Sequence, residues 1–332
     1  MRFLCRGRQL LVCCVAAVCC LTHPGLAAAQ LQCILCQGGS KIIVDQAGTG
    51  AYTDVQTAIN HAVDCDEVHV LAGVYEGGLD LNANITLSCE SPDLVTLRNS
   101  PAGGNTIVVE RNHQVAIRGC KITGGGNGIG VKQGTSATIA NNVMVMNGAA
   151  GIRNLEDSVA ALLVENNVIS SNTGDGVMVT RYNCCGGSSA FSATFSNNIM
   201  TDNHGCGVNV NQIPSLQVSY NDATGNSGGD YCGASSSAGG ISQSPRFVDA
   251  STGDYRLLQS VSPCVDAGKP ALDLDPDGTR NDMGAFGGPC SADFFPGPGY
   301  PPSTITSLSL TPSSVPQGQS IRLQATGRVG MR

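Results

Sequence analysis

The phrase Asn-Asn-apolar recurs in this chain, each time in the same setting, and a fixed internal repeat decides an architecture before any single residue is read. The copies are Asn141-Asn142-Val143, Asn166-Asn167-Val168 and Asn197-Asn198-Ile199. Each follows an alternating apolar run. Each is followed by a further Asn (Asn147, Asn172 or Asn203) and by a Gly-apolar pair: Gly151-Ile152, Gly176-Val177 or Gly207-Val208. From Asn142 to Asn167 to Asn198 the steps are 25 and 31 residues. A degenerate copy follows at Asn221 with Asn226. Another precedes at Gly119-Cys120, where Cys120 stands in the place of the second Asn.

Within each unit Val, Ile and Phe alternate with small or polar residues, the period of short strands. Gly and Asn at the corners supply the positive φ angles that sharp turns need. One such unit cannot bury its own apolar face, whereas stacked copies can, which gives a solenoid. The step length and the three short strands per unit fit one coil of a parallel β-helix. A leucine-rich repeat is excluded, because its Leu spacing and helical half are absent. An Asn at the same turn of every coil can bond the next along the axis, so the repeated Asn residues read as an internal amide ladder. The coils are expected to run to about residue 232.

Residues 1–29 read as a leader. Arg2, Arg6 and Arg8 form its positive start, Leu10 to Leu21 an apolar stretch too short to cross a bilayer, and Ala27-Ala28-Ala29 a cleavage site, so the mature chain is expected near Gln30. No other apolar run is long enough for a membrane span. The net charge of −7 becomes −10 when the three leader Arg residues are removed. That balance disfavours nucleic acid, which needs a basic face. Of the 16 Cys, five lie in the leader and eleven remain, an odd number that implies an unpaired thiol. Export with this count points to disulfides. Cys33 and Cys36 are expected to staple the N-terminal cap. A bridge from the Cys184-Cys185 insertion to Cys206 is the preferred single pairing. The chain is expected to be a secreted or cell-surface monomer.

Near the N-terminus, residues 41–45 read as a strand. Thr53-x-x-Gln56 reads as a capping box opening an amphipathic helix with Val55, Ile59 and Val63 on one face. Val68 to Leu71 reads as the next strand, and the winding is expected to begin at Ile85 to Leu87 and Val95 to Leu97. The stretch Ile42-Ile43-Val44-Asp45, Tyr52 to Ile59 and Val70 to Tyr75 resembles the N-terminal cap of pectin-lyase-like right-handed β-helix proteins. That resemblance implies a right-handed winding over roughly 45–235 and says little about activity.

A second phrase comprises Ser244 to Asp249, Gly253 to Leu257, Ser262 to Gly268 and Asp275 to Gly288. It is similar to the C-terminal segment of the bacterial surface proteins called choice-of-anchor Q domain proteins. This implies a secreted β-helix followed by an anchoring tail, and no set activity. The expected organisation is a leader (1–29), a β-helix with its cap (30–240), a closing segment (241–291), a Pro-rich linker (292–302) and the first strands of a truncated immunoglobulin-like domain (303–332).

Two groups of residues carry candidate chemistry. Asp273, Asp275 and Asp277 alternate around Gly278, with Asp282 beyond, a set of hard oxygen ligands suited to Ca2+. The other reading is an Asp-rich turn packed on the last coil. Aligning the repeats puts Gly130, Arg153, Met178 and Asn209 in one column. Lys132 and Arg181 lie beside it, and Glu156, Asp157 and Asp175 lie near. Lys132, Arg153 and Arg181 are therefore the candidate catalytic cations for removing a proton next to a sugar carboxylate. Scattered surface charge is the alternative. The paired Asp and Arg-x-Lys motifs of polygalacturonases and the pectin methylesterase signatures are missing. Trp is absent and aromatic residues are 4%. The leading expectation is a secreted or surface β-helix with a structural or binding role, with polysaccharide as its candidate partner. The alternative is a polysaccharide lyase or epimerase acting on an acidic glycan.

Overall fold

The computed structural model describes residues 38–100, 104–156, 159–181, 191–236, 238–270, 274–294, 304–311 and 322–328. The expected leader, Cys33, Cys36, Asp157, Cys184, Cys185, Asp273 and most of the expected linker lie outside the described residues.

Strand β1 (Lys41–Val44) and helix α1 (Val55–His61) precede a series of three-strand coils. The first coils are β2 (Glu67–Val70), β3 (Gly73–Glu76) and β4 (Leu79–Leu81), then β5 (Thr86–Cys89), β6 (Val95–Arg98) and β7 (Ile107–Val109). Next come β8 (Gln114–Arg118), β9 (Lys121–Thr123) and β10 (Ile129–Val131), then β11 (Ser136–Ala140), β12 (Val143–Val145) and β13 (Ile152–Asn154). They continue through β14 (Ala161–Glu165), β15 (Val168–Ser170) and β16 (Val177–Thr180) to β17 (Ser192–Ser196), β18 (Ile199–Thr201) and β19 (Cys206–Asn211). The last coil is β20 (Ser215–Ser219), β21 (Asp222–Thr224) and β22 (Gly229–Cys232).

Like strands of successive coils pair in parallel, which makes three sheets: an 8-stranded first sheet that includes β1, and second and third sheets of 7 strands each. The fold is a right-handed parallel β-helix. Winding starts earlier than expected, because β2 to β4 already form a complete coil.

Register stacks like residues, as the repeat demands. The inward column of the first sheet is Val68, Leu87, Ile117, Ile139, Val164, Phe195 and Val218. The third sheet contributes Leu79, Ile107, Ile129, Ile152, Val177 and Val208. All are buried. Each such aliphatic side chain contributes about 1.5–3 kcal/mol on leaving water.

The three Asn residues of the repeat do three jobs. The second of the pair points inward. Asn142 donates its backbone N–H (2.9 Å) and its Nδ2 (3.1 Å) to Oδ1 of Asn167. Asn167 repeats this on Asn198 (3.0 and 3.0 Å), and Asn198 on Asn221 (3.0 and 2.9 Å). Cys120 heads the column: its backbone N–H donates to Oδ1 of Asn142 (3.1 Å), and its sulfur is bonded to Cys89. The third Asn builds a second ladder through Asn147, Asn172, Asn203 and Asn226. The first Asn makes the corner. Asn141, Asn166 and Asn197 have φ of 57°, 51° and 57°, a left-handed conformation that Asn tolerates better than most residues.

The Gly of the repeat is required by the ladder beneath it. A Cβ on Gly128, Gly151 or Gly176 would lie 2.6, 2.7 and 2.6 Å from the carbonyl oxygen of the next Gly in the column. The second corner is also left-handed, at Gly124, Met146, Ser171, Asp202 and Gly225. Met146 is the misfit. It holds φ 53° with a large side chain that is 62% exposed and gains nothing from burial. Met146→Gly is expected to stabilise the protein by about 0.5–1 kcal/mol, read as a rise in thermal midpoint, because Gly removes the left-handed penalty.

Helix α1 packs against β1, β2 and β4 and covers the N-terminal end of the stack. Its N-cap is Asp54, whose carboxylate accepts the Thr57 N–H at 2.7 Å, so the expected capping box at Thr53 is displaced by one residue. The buried face is Val55, Ala58 and Ile59, while Val63 lies beyond the helix end and is 65% exposed.

Residues 244–270 and 274–291 do more than close the last coil. They run back along the outer face of the second sheet, with hairpin β23 (Phe247–Asp249) and β24 (Asp254–Leu257). Tyr255, Leu257, Met283 and Ala285 bury Val143, Val145, Val168 and Ile199. The corner Asn residues dock this return segment. Asn141 Nδ2 donates to the Ala285 and Gly287 carbonyls, and Asn166 Nδ2 to Asn281 Oδ1 and the Asp282 carbonyl. Asn197 Oδ1 accepts the Lys269 N–H. The expected pairing of Cys206 with the insertion is wrong. Cys206 is bonded to Cys232, the neighbouring rung of the third sheet, which ties down the last coil. Cys264 is a free, buried thiol. Strands β25 (Thr304–Thr311) and β26 (Arg322–Arg328) form an antiparallel hairpin.

Candidate functional site

With the second sheet covered, the outer face of the third sheet is where the candidate cations fall. Side chains alternate along a strand, so the residue between two inward positions faces out. In register, these outward residues are Gly130, Arg153, Met178 and Asn209. Arg153 is half-buried, and its side chain makes no hydrogen bond or ion pair with any described residue. Lys132, just past β10, is bound to Glu110 at 2.7 Å. Arg181, just past β16, donates its backbone N–H to the Asn211 carbonyl at 3.0 Å.

The anions near this column are engaged. Glu156 pairs with Arg111 and accepts the Gln133 N–H at 3.2 Å. The Arg111 hydrogen bond holds its carboxyl below the usual range. Asp175 accepts the Cys206 N–H (2.6 Å) and Asn209 Nδ2 (3.0 Å), which bridges two coils. The structure thus puts Arg153 between Gly130 and Met178, with Lys132 neutralised by Glu110 toward the N-terminal side.

The Asp run lies on the return segment. Asp275 accepts the Asp282 N–H at 2.9 Å and also the Gly288 N–H. Asp282 accepts the Asp266 N–H at 2.7 Å and Gln259 Nε2 at 3.2 Å. Oxygens turned toward N–H donors are arranged for a hydrogen-bonded turn, and among the described residues no group of three His, Cys, Asp or Glu is placed to hold a metal ion. Arg280 donates to the Gly268 and Ala267 carbonyls, and its guanidinium lies over the Tyr220 ring.

Burial, with Asp282 as the nearest like charge, pushes the Asp275 carboxyl up to about 8. Burial likewise pushes Asp282 and Asp222 up to about 6. A carboxyl raised in the folded state keeps a proton that the unfolded chain has lost, so the fold weakens as pH rises between the unfolded value of about 3.9 and the folded one. The thermal midpoint is therefore expected to fall as pH goes from 5 to 9, and Asp275→Asn is expected to flatten that slope. A Ca2+ titration at pH 8 is expected to leave the midpoint unmoved; a rise would mean an ion that ionises Asp275.

One cluster was not anticipated. On the outer face of the first sheet, Ser88 Oγ donates to Glu67 Oε1 (2.6 Å), His69 Nδ1 lies 2.8 Å from Ser88 Oγ, and Arg118 and Lys41 flank Glu67 at 3.1 and 3.6 Å. His69, Ser88 and Arg118 occupy one register column, which the strand alternation alone implies. Ser88 is 0% exposed and donates to the carboxylate, so it is placed as a structural link and not as a nucleophile. A shallow hollow lined by Gly50, Tyr52, Thr53, Asp54 and Thr57 lies at the cap, where Asp54 already serves the helix.

Residues 88–243 match the family model described as right handed beta helix region. Among solved structures, the chain is similar to a pectin methylesterase from Aspergillus niger in deglycosylated form. Identity is 12%, the TM-score 0.40, and coverage 68% of this chain and 92% of that one. It is also similar to a pectate lyase, at 12% identity and a TM-score of 0.28, with coverage of 74% and 95%. Neither likeness carries an argument about chemistry. Comparison with curated protein sequences finds no match.

Proposed function

We propose that this β-helix is an exported or surface-displayed binding and scaffolding protein that meets a saccharide on the outer face of its third sheet. The observation that carries this reading is the state of the charges there. Glu110, Glu156 and Asp175 are each engaged by Lys132, Arg111 and the Cys206 N–H with Asn209. Hydrolysis of a glycosidic bond needs two opposed working carboxylates. Lyase chemistry needs a base and an acid-neutralising group in one place. Among the described residues what stays available is the Arg153 side chain, flanked in register by Met178 and by Gly130, over which Leu155 and Asn105 close. The disulfides Cys89–Cys120 and Cys206–Cys232 support an oxidising location, and the phrase over 244–288 supports display at a surface.

A glycan array with the wild type and Arg153→Ala tests the reading. The wild type is expected to retain at least one saccharide class, and Arg153→Ala to weaken it about tenfold, or about 1.4 kcal/mol, with an unchanged unfolding midpoint. Silence across the array would remove the saccharide from the proposal. The guanidinium of Arg153, unpaired among the described residues, also favours a second reading, a lyase or epimerase acting on an acidic polysaccharide. Ultraviolet absorbance of unsaturated products would reveal the lyase. Turnover that survives replacing Lys132, Arg153 and Arg181 together with Ala would overturn that residue assignment.

A further inference from the structure

We infer that the return segment is a lengthwise clasp, which makes successive coils of the solenoid open as one unit instead of one at a time. A bare solenoid is quasi-one-dimensional: each coil touches only its neighbours, so terminal coils can fray without disturbing the middle. Here a single stretch of chain touches coil after coil. Its hairpin reaches toward the N-terminal end, where Lys121 Nζ donates to the Gly253 carbonyl (3.1 Å) and Arg256 lies 3.8 Å from Asp93. Its later part crosses three corners in turn, through Asn197, Asn166 and Asn141. Its beginning is held at the last coil, where Asp222 accepts the Gln243 N–H (3.1 Å) and the Cys264 thiol (3.1 Å).

The docking groups are built for this. The outward column of the second sheet is Val74, Thr96, Lys121, Val143, Val168, Ile199 and Asp222. It is apolar at Val143, Val168 and Ile199, where the segment crosses, and polar at Thr96 and Lys121 on the N-terminal side and at Asp222 on the last coil. Opening any one of the coils of β12, β15 and β18 strips apolar surface from the segment and orphans a corner amide, a cost that nearest-neighbour stacking does not impose. The first coil (β2 to β4), together with β1, makes no contact of this kind among the hydrogen bonds and ion pairs of the described residues.

Native-state hydrogen exchange on the intact protein tests the clasp. Amides of β12, β15, β18 and β21 are expected to share one opening free energy, while β2 to β4 exchange at least about tenfold faster. A smooth coil-to-coil gradient in the wild type would overturn the inference. The second arm is the pair Asn166→Gly and Asn197→Gly. Gly accepts the same left-handed φ, so the docking amides are lost together with one coil-to-coil bond, Asn197 Nδ2 to Asn166 Oδ1 (3.3 Å). In this variant the amides of β20 to β22 are expected to exchange at least about tenfold faster than those of β11 to β13. Exchange that stays in unison there would assign the coupling to stacking alone.

Discussion

Asn167→Ala is expected to destabilise the protein by about 3–5 kcal/mol, near the top of the range for a single substitution. The reason is the number of groups it orphans. Oδ1 of Asn167 accepts both donors of Asn142, and its Nδ2 donates to the Ile139 and Glu165 carbonyls and to Asn198 Oδ1. The site is 0% exposed, so no water replaces them, and each stranded buried group costs about 1–3 kcal/mol. Asn167→Asp separates this cause from lost volume. Asp fills the same space, yet its second oxygen faces the two carbonyls that Nδ2 served. Equal or greater destabilisation by Asp, measured by urea unfolding, is the expected result. A mild effect of Asp would mean that packing dominates and not the ladder.

Gly176→Ala is expected to cost about 3 kcal/mol or to prevent folding, for a different reason. Its Cβ would sit 2.6 Å from the Gly207 carbonyl oxygen and 3.1 Å from Asn203 Nδ2. Both belong to the next coil, and the backbone oxygen cannot swing aside as a side-chain tip would. Overpacking of a tight interior commonly costs about 1–3 kcal/mol, more when backbone must move. Gly278→Ala is the control. Unlike Gly176 it has a positive φ (85°), and nothing lies within 4 Å of its added Cβ, so only local backbone strain is at stake there. A loss at Gly176 no larger than the strain cost at Gly278 would show that the next coil yields to the added Cβ and that the ladder contact does not demand Gly176.

Much of the winding was legible because a repeat aligns itself. The column of Asn142, Asn167, Asn198 and Asn221, the place of Cys120 at its head, and the end of the coils at Cys232 all follow from counting along the chain. So does the register of Gly130, Arg153, Met178 and Asn209. The return segment was not legible as a lengthwise element, because a long-range packing partner leaves no period of its own. It did leave a trace. Strands β12, β15 and β18 are buried on both faces, as continuous runs such as Val143-Met144-Val145, whereas β11 and β14 alternate. The Cys206–Cys232 bridge also had a signal, since 26 residues is close to one coil step. The Cys184-Cys185 pair drew attention away from it. Pairing of Lys132 with Glu110 and of Glu156 with Arg111 joins residues 22 and 45 apart, which only the stacked coils bring together.

The two Asn ladders leave unequal freedom to the three corners. From β8 onward the turn from first to second sheet is a pair of residues: 119–120, 141–142, 166–167, 197–198 and 220–221, whereas β5 to β6 takes residues 90–94. The turn from third to first sheet spans 132–135, 155–160, 181–191 and 212–214 in successive coils. In the coils from β8 to β22 this edge therefore carries the widest range of lengths. That edge can gain, lose or exchange loops without shifting a single rung of either ladder, and it borders the face that carries Arg153. A lineage of such chains can acquire new specificities there by insertion while inheriting its scaffold intact, and a grafted peptide belongs in the same place.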